Sequence, residues 1–338
     1  MQYYEYNFPK SVSNIVAGVD EAGRGPLAGP VMAAAVILPE NNEIDGLRDS
    51  KKLSPKQREV LFGKITNKAI SIGIGQSSVK RIDQMNIRNA TFMAMQRALG
   101  HLTIKPNSAL IDGESLPNQI IPNVGIVRGD DKVDAIKAAS IVAKVTRDNL
   151  MVRYSKIFPE YGLDKHKGYG TSMHMEALRK YKATPIHRRS FRPVRDNFPT
   201  LTWLERKDRI KWLGKKFAAL YLMDNGVVIE SLNEYLPPYG EIDIIGIENG
   251  DWIFAVVRSR INDVRVSNLQ LKQFEVEKIK ISVENHLSQY EGPHNYRVDH
   301  IEVSFGKKKP IVQHYKGVPV SYTHLRAHET LRYLVCRL

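Results

Sequence analysis

The 338-residue chain carries a single cysteine, Cys336, so it offers neither an intrachain disulfide nor a cysteine-ligated metal cluster. No uninterrupted run of 18 apolar residues occurs, which argues against a membrane-spanning helix. The opening residues, MQYYEYNFPK, lack the charged-then-apolar order of a signal peptide, and a cytoplasmic protein is expected. Acidic residues are also in deficit: 36 Asp+Glu stand against 50 Lys+Arg, a net charge of +14. The imbalance is concentrated in residues 1–200, with 30 basic and 19 acidic side chains, against 20 and 17 in the remainder. That surplus fits a polyanionic partner, most simply a nucleic acid, and fits a merely soluble basic protein about as well. What is present is ordinary for a folded protein. Apolar residues make up 42% and charged residues 25%, which excludes a disordered, collagen-like or low-complexity chain.

Apolar Ile15–Val19 and Val31–Leu38 read as strands around the turn Gly23-Arg24-Gly25. Ser54 as N-cap and Pro55 at the first helical position open a helix to about Lys68. Alternation at Ile70, Ile72 and Ile74 predicts a strand reaching Ser77. Asn89–Leu102 reads as a helix, Ala109–Ile111 and Val124–Val127 as short strands, and Asp131 to about Tyr154 as a long helix. Strands followed by helices, with acids at strand ends, predict an α/β or α+β layered architecture. Pro193, Pro199 and the charges around 197–210 suggest a linker. A second α/β unit is expected beyond it. Its predicted helices are Asp208–Met223 and one near Asn268–His286; its predicted strands are Val227–Ile229, Ile242–Ile247, Trp252–Val257 and Val298–Phe305.

Four carboxylates, Asp20, Glu21, Asp112 and Asp130, stand at predicted element ends. Carboxylates grouped without His or Cys suit hard, oxygen-seeking cations, Mg²⁺ or Mn²⁺. Two such ions about 4 Å apart clamp the attacking and leaving oxygens of a phosphodiester. Each acid alone is an ordinary cap or turn residue. Their joint placement in a basic half is what points to metal-assisted chemistry on nucleic acid.

The run Asp20-Glu21-Ala22-Gly23-Arg24-Gly25-Pro26-Leu27-Ala28-Gly29-Pro30-Val31 resembles the signature of bacterial ribonuclease HII. Asp49-Ser50-Lys51-Lys52-Leu53-Ser54 resembles that family's second block, and Gly129-Asp130 with Ala138–Asp148 a third. His166-Lys167-Gly168-Tyr169-Gly170-Thr171 resembles a fourth, and His187-Arg188-Arg189-Ser190-Phe191 a fifth. The blocks are collinear over roughly residues 13–195. The resemblance implies an RNase H-like mixed sheet flanked by helices. It implies a metal-dependent endonuclease that hydrolyses RNA in RNA–DNA hybrids and incises at single ribonucleotides in duplex DNA, leaving 5′-phosphate and 3′-hydroxyl ends.

Carried over residue by residue, the family's metal-binding acids fall on Asp20, Glu21, Asp112 and Asp130. Asp131 is a rival for the fourth place. The resemblance assigns ribose 2′-hydroxyl contact to Gly23, Arg24 and Gly25. Glycine lets backbone approach a sugar closely, and the 2′-hydroxyl is what separates RNA from DNA at a site. Tyr169 matches the tyrosine that packs against the junction nucleotide. Lys51, Lys52, Lys144 and Arg147 are expected phosphate contacts, which position a duplex without reading its sequence. His101, His166 and His174 have no ligand spacing and read as structural or surface residues.

Residues 203–315 are similar to the small YraN family, whose fold is restriction-endonuclease-like. The supporting residues are Gly214, Ala218, Ala219, Tyr221, Leu222 and Gly240–Ile245. The pattern departs where it matters: Lys215, Val256 and Arg258 occupy positions where that family carries Glu, Glu and Lys. Arginine does not deprotonate to act as a base, and a catalytically degenerate domain is expected. The division expected is therefore a ribonuclease domain over 1–200, a degenerate domain over 201–317 and a foreign-looking tail over 318–338. The expected partners are RNA–DNA hybrid and ribonucleotide-containing duplex DNA, with no membrane and a monomeric catalytic domain. The competing readings are a repair adaptor that binds nucleic acid without cutting it, and a fusion of two active nucleases.

Overall fold

Five strands, β1 (Val16–Ala22), β2 (Val31–Ile37), β3 (Ser71–Ser77), β4 (Ser108–Asp112) and β5 (Asn123–Ile126), form one sheet in the order β3-β2-β1-β4-β5. The structure is a computed structural model that describes residues 15–41, 44–261, 271–306 and 310–317. β1, β2 and β3 pair antiparallel, while β4 runs parallel to β1 and β5 parallel to β4. The accompanying helices are α1 (Pro55–Lys68), α2 (Val79–Gly100), the single turn α3 (Gly129–Lys132) and α4 (Asp134–Ile157). This is the mixed, helix-flanked sheet of an RNase H-like fold.

All seven residues of β2 are buried, because both faces of the sheet are covered. On one face Val19, Ala33 and Ala35 pack with Phe92, Met95 and Leu99 of α2. On the other, Ala34 and Val36 pack with Leu61 and Ile65 of α1 and with Ile141 and Val142 of α4. The small side chains of β1 and β2 let helix backbone come close. A Cβ on Gly18 would lie 2.2 Å from the carbonyl carbon of Ala135, so glycine alone allows the first turn of α4 to rest on β1.

α1 begins as its sequence predicts, with Ser54 and Gln57 capping each other reciprocally. Three boundaries differ from expectation. β1 continues through Asp20 and Glu21 and does not end before them. α2 starts at Val79, and a break at Asn86, with φ of 68°, hides its first turns from a periodicity reading. Val133, in extended conformation, separates α3 from α4 where one helix was expected.

The backbone gathers into two units. The first holds the chain to Met151 together with Lys167–Tyr169 and Arg188–Phe191; the second holds Val152–His166, Gly170–His187 and the chain from Arg192. The second unit contains α5 (Leu163–His166), α6 (Ser172–Tyr181), α7 (Arg192–Arg195), α8 (Leu201–Leu204), α9 (Lys207–Asp224) and α10 (Gln273–Leu287). Its sheet comprises β6 (Val228–Leu236), β7 (Gly240–Glu248), β8 (Asp251–Ile261), β9 (Tyr296–Phe305) and β10 (Ile311–Tyr315), in the order β10-β9-β8-β7-β6. Only β8 and β9 pair in parallel. Leu236, Phe254 and Val256 pack with Val276 and Val283 of α10, and Phe217 of α9 meets Phe305 edge-on.

Around the linker expected near residue 200, side chains from before and after it are packed together. Trp212 Nε1 donates to Glu160 Oε1 at 2.7 Å, and the rings of Tyr181 and Trp212 stack. The tail 318–338, with His324, His328 and Cys336, lies outside the described residues. No helix among the described residues is long and apolar enough to cross a membrane.

Candidate metal centre and nucleic-acid interface

Parallel pairing of β1 with β4 sets Val19 beside Ile111 and brings the ends of both strands together. Asp20 follows Val19 and Asp112 follows Ile111. Asp112 then reaches forward: its Oδ1 accepts the N–H of Gly129 at 2.7 Å and of Asp130 at 3.4 Å. The result is a trio, Asp20, Asp112 and Asp130, each offering an oxygen within 4.8 Å of the others. Asp20 and Asp130 are buried and Asp112 partly so.

Glu21 is not a member of this trio; its Oε1 lies 3.5 Å from Arg24 Nη1. It remains within the electrostatic reach of Asp112. Asp131 faces away and pairs with Lys52, which leaves Asp130 as the acid of the Gly-Asp step that faces the centre.

Burial first, and then the charges of Glu21 and Asp112, push the Asp20 carboxyl well above its ordinary value. Burial pushes Glu21 up despite the opposing Arg24 guanidinium. Asp112 is raised by burial and by the charge of Asp130. Crowded, partly buried carboxylates that destabilise one another are the donor set a divalent cation relieves. The oxygen-only chemistry suits a hard ion, and a lone ammonium, Lys51 Nζ, reaches Asp130 at 3.5 Å. Asp20, Asp112 and Asp130, with Glu21 beside them, thus fit a divalent cation.

The expected substrate contacts separate into two groups. The side chains of Lys51 and Lys52 are exposed, and Asp49 Oδ1 fixes the loop by accepting the Lys51 N–H at 2.9 Å. Arg24 is about half exposed. Tyr169 is 45% exposed, and its Cε1 is 3.6 Å from the point where a Cβ on Gly25 would stand. Lys144 is largely covered and bonded to Asp148 at 2.8 Å. Arg147 departs from the expectation altogether. It is 1% exposed and donates to the carbonyls of Pro30, Lys167 and Ala28, so it lies under the Gly23–Pro30 turn and is not a phosphate contact.

Sequence reasoning gave no role to Arg188, which is fully buried beneath the same turn. The one available signal was its place in the fifth block, His187-Arg188-Arg189-Ser190-Phe191. It also missed Ser140, whose hydroxyl lies 2.9 Å from Ser50 Oγ and helps to hold the Asp20 carboxyl down against its burial. Among the histidines, His174 and His187 are buried with their Nε2 atoms 3.0 Å apart, and His166 stacks on His174. His101 is exposed at the end of α2 and bonds Ile74 O.

In the second unit, Lys215 Nζ sits 2.7 Å from Asp243 Oδ1, 2.9 Å from Glu241 Oε1 and 2.5 Å from Asn233 Oδ1. Asp243 Oδ2 accepts the Val257 N–H at 2.7 Å. Val256 is buried in the core, and Arg258 pairs with Glu275.

A hard-cation centre of three aspartates, from β1, the end of β4 and α3, beside a glycine turn, defines a metal-dependent nuclease. The family model for ribonuclease HII matches residues 17–194, more than half of the chain, and the chain belongs to that family. The ribonuclease HII of Shewanella pealeana is 54% identical over 180 residues, covering 53% of this chain and 89% of the relative. That of Coxiella burnetii is 52% identical over 189 residues, covering 56% and 94%. The crystal structure of ribonuclease H2 from Pyrococcus horikoshii is 30% identical, covers 54% of this chain and 95% of that one, and has a TM-score of 0.48. The protein is a type HII ribonuclease, a divalent-metal-dependent endonuclease acting on RNA–DNA hybrids.

Proposed function

We propose that the protein cuts both RNA–DNA hybrids and duplex DNA at embedded single ribonucleotides, with Mg²⁺ or Mn²⁺, leaving 5′-phosphate and 3′-hydroxyl ends. The observation that carries this reading is the trio Asp20, Asp112 and Asp130 beside the Gly23–Gly25 turn, with Tyr169 against Gly25. Asp20, Glu21, Asp112 and Asp130 would hold two ions, whose chemistry when bound is to activate water and stabilise charge on the departing oxygen. The chain's own groups do the rest. The backbone of Gly23-Arg24-Gly25 meets the ribose 2′-hydroxyl at the junction, and Tyr169 packs on the junction sugar. Lys51 and Lys52 hold phosphates, which fixes the duplex without reading bases.

The second unit from about residue 203 is a degenerate restriction-endonuclease-like domain related to the YraN family, and it does not cut. The support is Lys215, whose ammonium stands among Asn233, Glu241 and Asp243 where a cation would bind. That disfavours two active nucleases, as the complete acid set of the first unit disfavours a repair adaptor without activity. On this reading the domains divide at about 200 and 317, and the protein works as a cytoplasmic monomer. The test is cleavage of a duplex bearing one embedded ribonucleotide, with Mg²⁺ or Mn²⁺, comparing wild type with Asp20→Asn. Cutting at the ribonucleotide by wild type alone is expected, and failure to cut that duplex refutes the proposal.

A further inference from the structure

Two arginines lie beneath the Gly23–Pro30 turn with almost no exposed surface, Arg147 at 1% and Arg188 at 0%. Their donors go to backbone carbonyls. Arg188 gives Nε to Gly29 O at 3.0 Å, Nη1 to Arg24 O at 2.6 Å, and Nη2 to Gly23 O and Pro30 O. Arg147 gives Nε to Pro30 O and Nη2 to Ala28 O, both at 3.1 Å, and Nη1 to Lys167 O at 3.0 Å. The Arg188 backbone adds its N–H to Leu27 O, and Leu27 N–H goes to Gly168 O, both at 2.8 Å. The fit leaves no room for a side chain at Gly23. Gly23 has φ of +95°, and a Cβ there would stand 1.9 Å from Arg147 Nε.

Burying two guanidinium groups side by side is costly. Burial, and then the charge of Arg147, draws Arg188 down to about 9, with Asp83 and Tyr169 opposing. Guanidinium groups keep their charge at neutral pH. What they achieve is directional. A trans peptide is planar, with its C=O and N–H pointing in opposite directions. Because the carbonyls of Gly23 and Arg24 turn inward onto Arg188, the amide N–H groups of Arg24 and Gly25 turn outward.

We propose that Arg147 and Arg188 are positioning residues for ribose recognition: they splint the turn so that the N–H groups of Arg24 and Gly25 meet the 2′-oxygen of the junction nucleotide. This rests on the reading that the Gly23–Gly25 turn contacts the ribose. The arginines touch no substrate; they act through the turn. Charge alone does not suffice, because lysine lacks the planar fork that reaches several carbonyls at once.

The test is a kinetic comparison in the full-length protein with Arg147→Lys and Arg188→Lys, both of which keep a positive charge. On a duplex with ribose at the junction, kcat falls roughly 100-fold, as expected for a displaced contact, while KM, set by phosphate contacts, is unchanged. On the same duplex with 2′-fluoro at the junction, a poor acceptor, wild type is already slow and the variants are no slower. The ribose preference therefore collapses. A variant slowed equally on both substrates, with the preference intact, has lost only structure and overturns the inference. A wild-type enzyme with no preference removes the functional reading and this inference with it. Should both variants fail to fold, the unmodified protein decides by NMR without divalent cation. The Nε–Hε resonances of Arg147 and Arg188 shift on adding ribonucleotide-containing duplex and stay in place with an all-DNA duplex. Equal shifts with both duplexes, or none, overturn the inference.

Discussion

Lys216 Nζ lies 3.0 Å from Glu160 Oε1, and the lysine side chain is 2% exposed. Trp212 Nε1 shares the same oxygen, and the ammonium also faces the rings of Phe158 and Trp212. Burial pulls the Lys216 ammonium down in pKa, and Glu160 opposes that pull. Breaking such a pair from one side leaves an uncompensated buried charge. Lys216→Met should therefore lower stability by about 3 kcal/mol, read as a fall in Tm. Adding Glu160→Gln to it should recover most of the loss.

A chain ending after residue 200 should suffer less than Lys216→Met. It loses Lys216 and Trp212 together, so Glu160 returns to water and keeps no buried charge. The shortened protein should fold, retain cleavage, and melt below the full chain because Tyr181 loses its stacking partner. Thermal melts of the three proteins side by side check the order.

The acid centre should trade stability for activity. Asp20 and Asp112 are raised by burial and by neighbouring carboxylates. A carboxyl raised in the folded state favours folding fully below its unfolded value of about 3.9. That contribution is lost as pH rises through the folded value. At neutral pH without divalent cation, Asp20→Asn should raise Tm by roughly 2–4 °C, the equivalent of about 1 kcal/mol, while reducing cleavage to background. The gain should vanish near pH 4. Adding Mg²⁺ or Mn²⁺ at about 100 times its Kd should stabilise wild type by about 2.7 kcal/mol and Asp20→Asn by much less.

Tyr169→Ala should lower kcat by at least tenfold, the order of a misplaced contact, with little change in duplex affinity. Affinity rests on phosphate contacts and should follow salt concentration identically in both proteins. Single-turnover cleavage and a binding titration in matched salt separate the two effects.

The full chain carrying Asp20→Asn should show no metal-dependent cutting of any duplex, including all-DNA substrates. Residual cutting would place a working centre in the second unit, against the occupancy of its acids by Lys215.

Much of the first unit was legible because its signals are local. Ser54, Pro55 and Gln57 announce α1, and the alternation of β3 is visible in its isoleucines. The acids were legible as a set through their shared neighbourhoods, whereas their geometry was not. Glu21 was grouped with the other acids by its place at an element end and by the resemblance; successive residues of a strand point to opposite faces, and its Oε1 lies 3.5 Å from Arg24 Nη1. Arg147 was expected on the surface as a phosphate contact because its acceptors are carbonyls, which carry no sequence signature, and for the same reason Arg188 was given no role. β10 escaped notice because its register is set across the sheet, with His314 bonded to the buried Asp299.

The splint under the glycine turn has a consequence for synthesis. The acids lie at residues 20–130, but Arg188 arrives roughly 60 residues later, about 3–12 s behind at a translation rate of roughly 5–20 residues per second. If the proposed roles hold, a nascent chain acquires its acid centre while the Gly23–Gly25 turn is still unbraced. On that reading, discrimination between RNA and DNA is completed later on the ribosome than the acid centre.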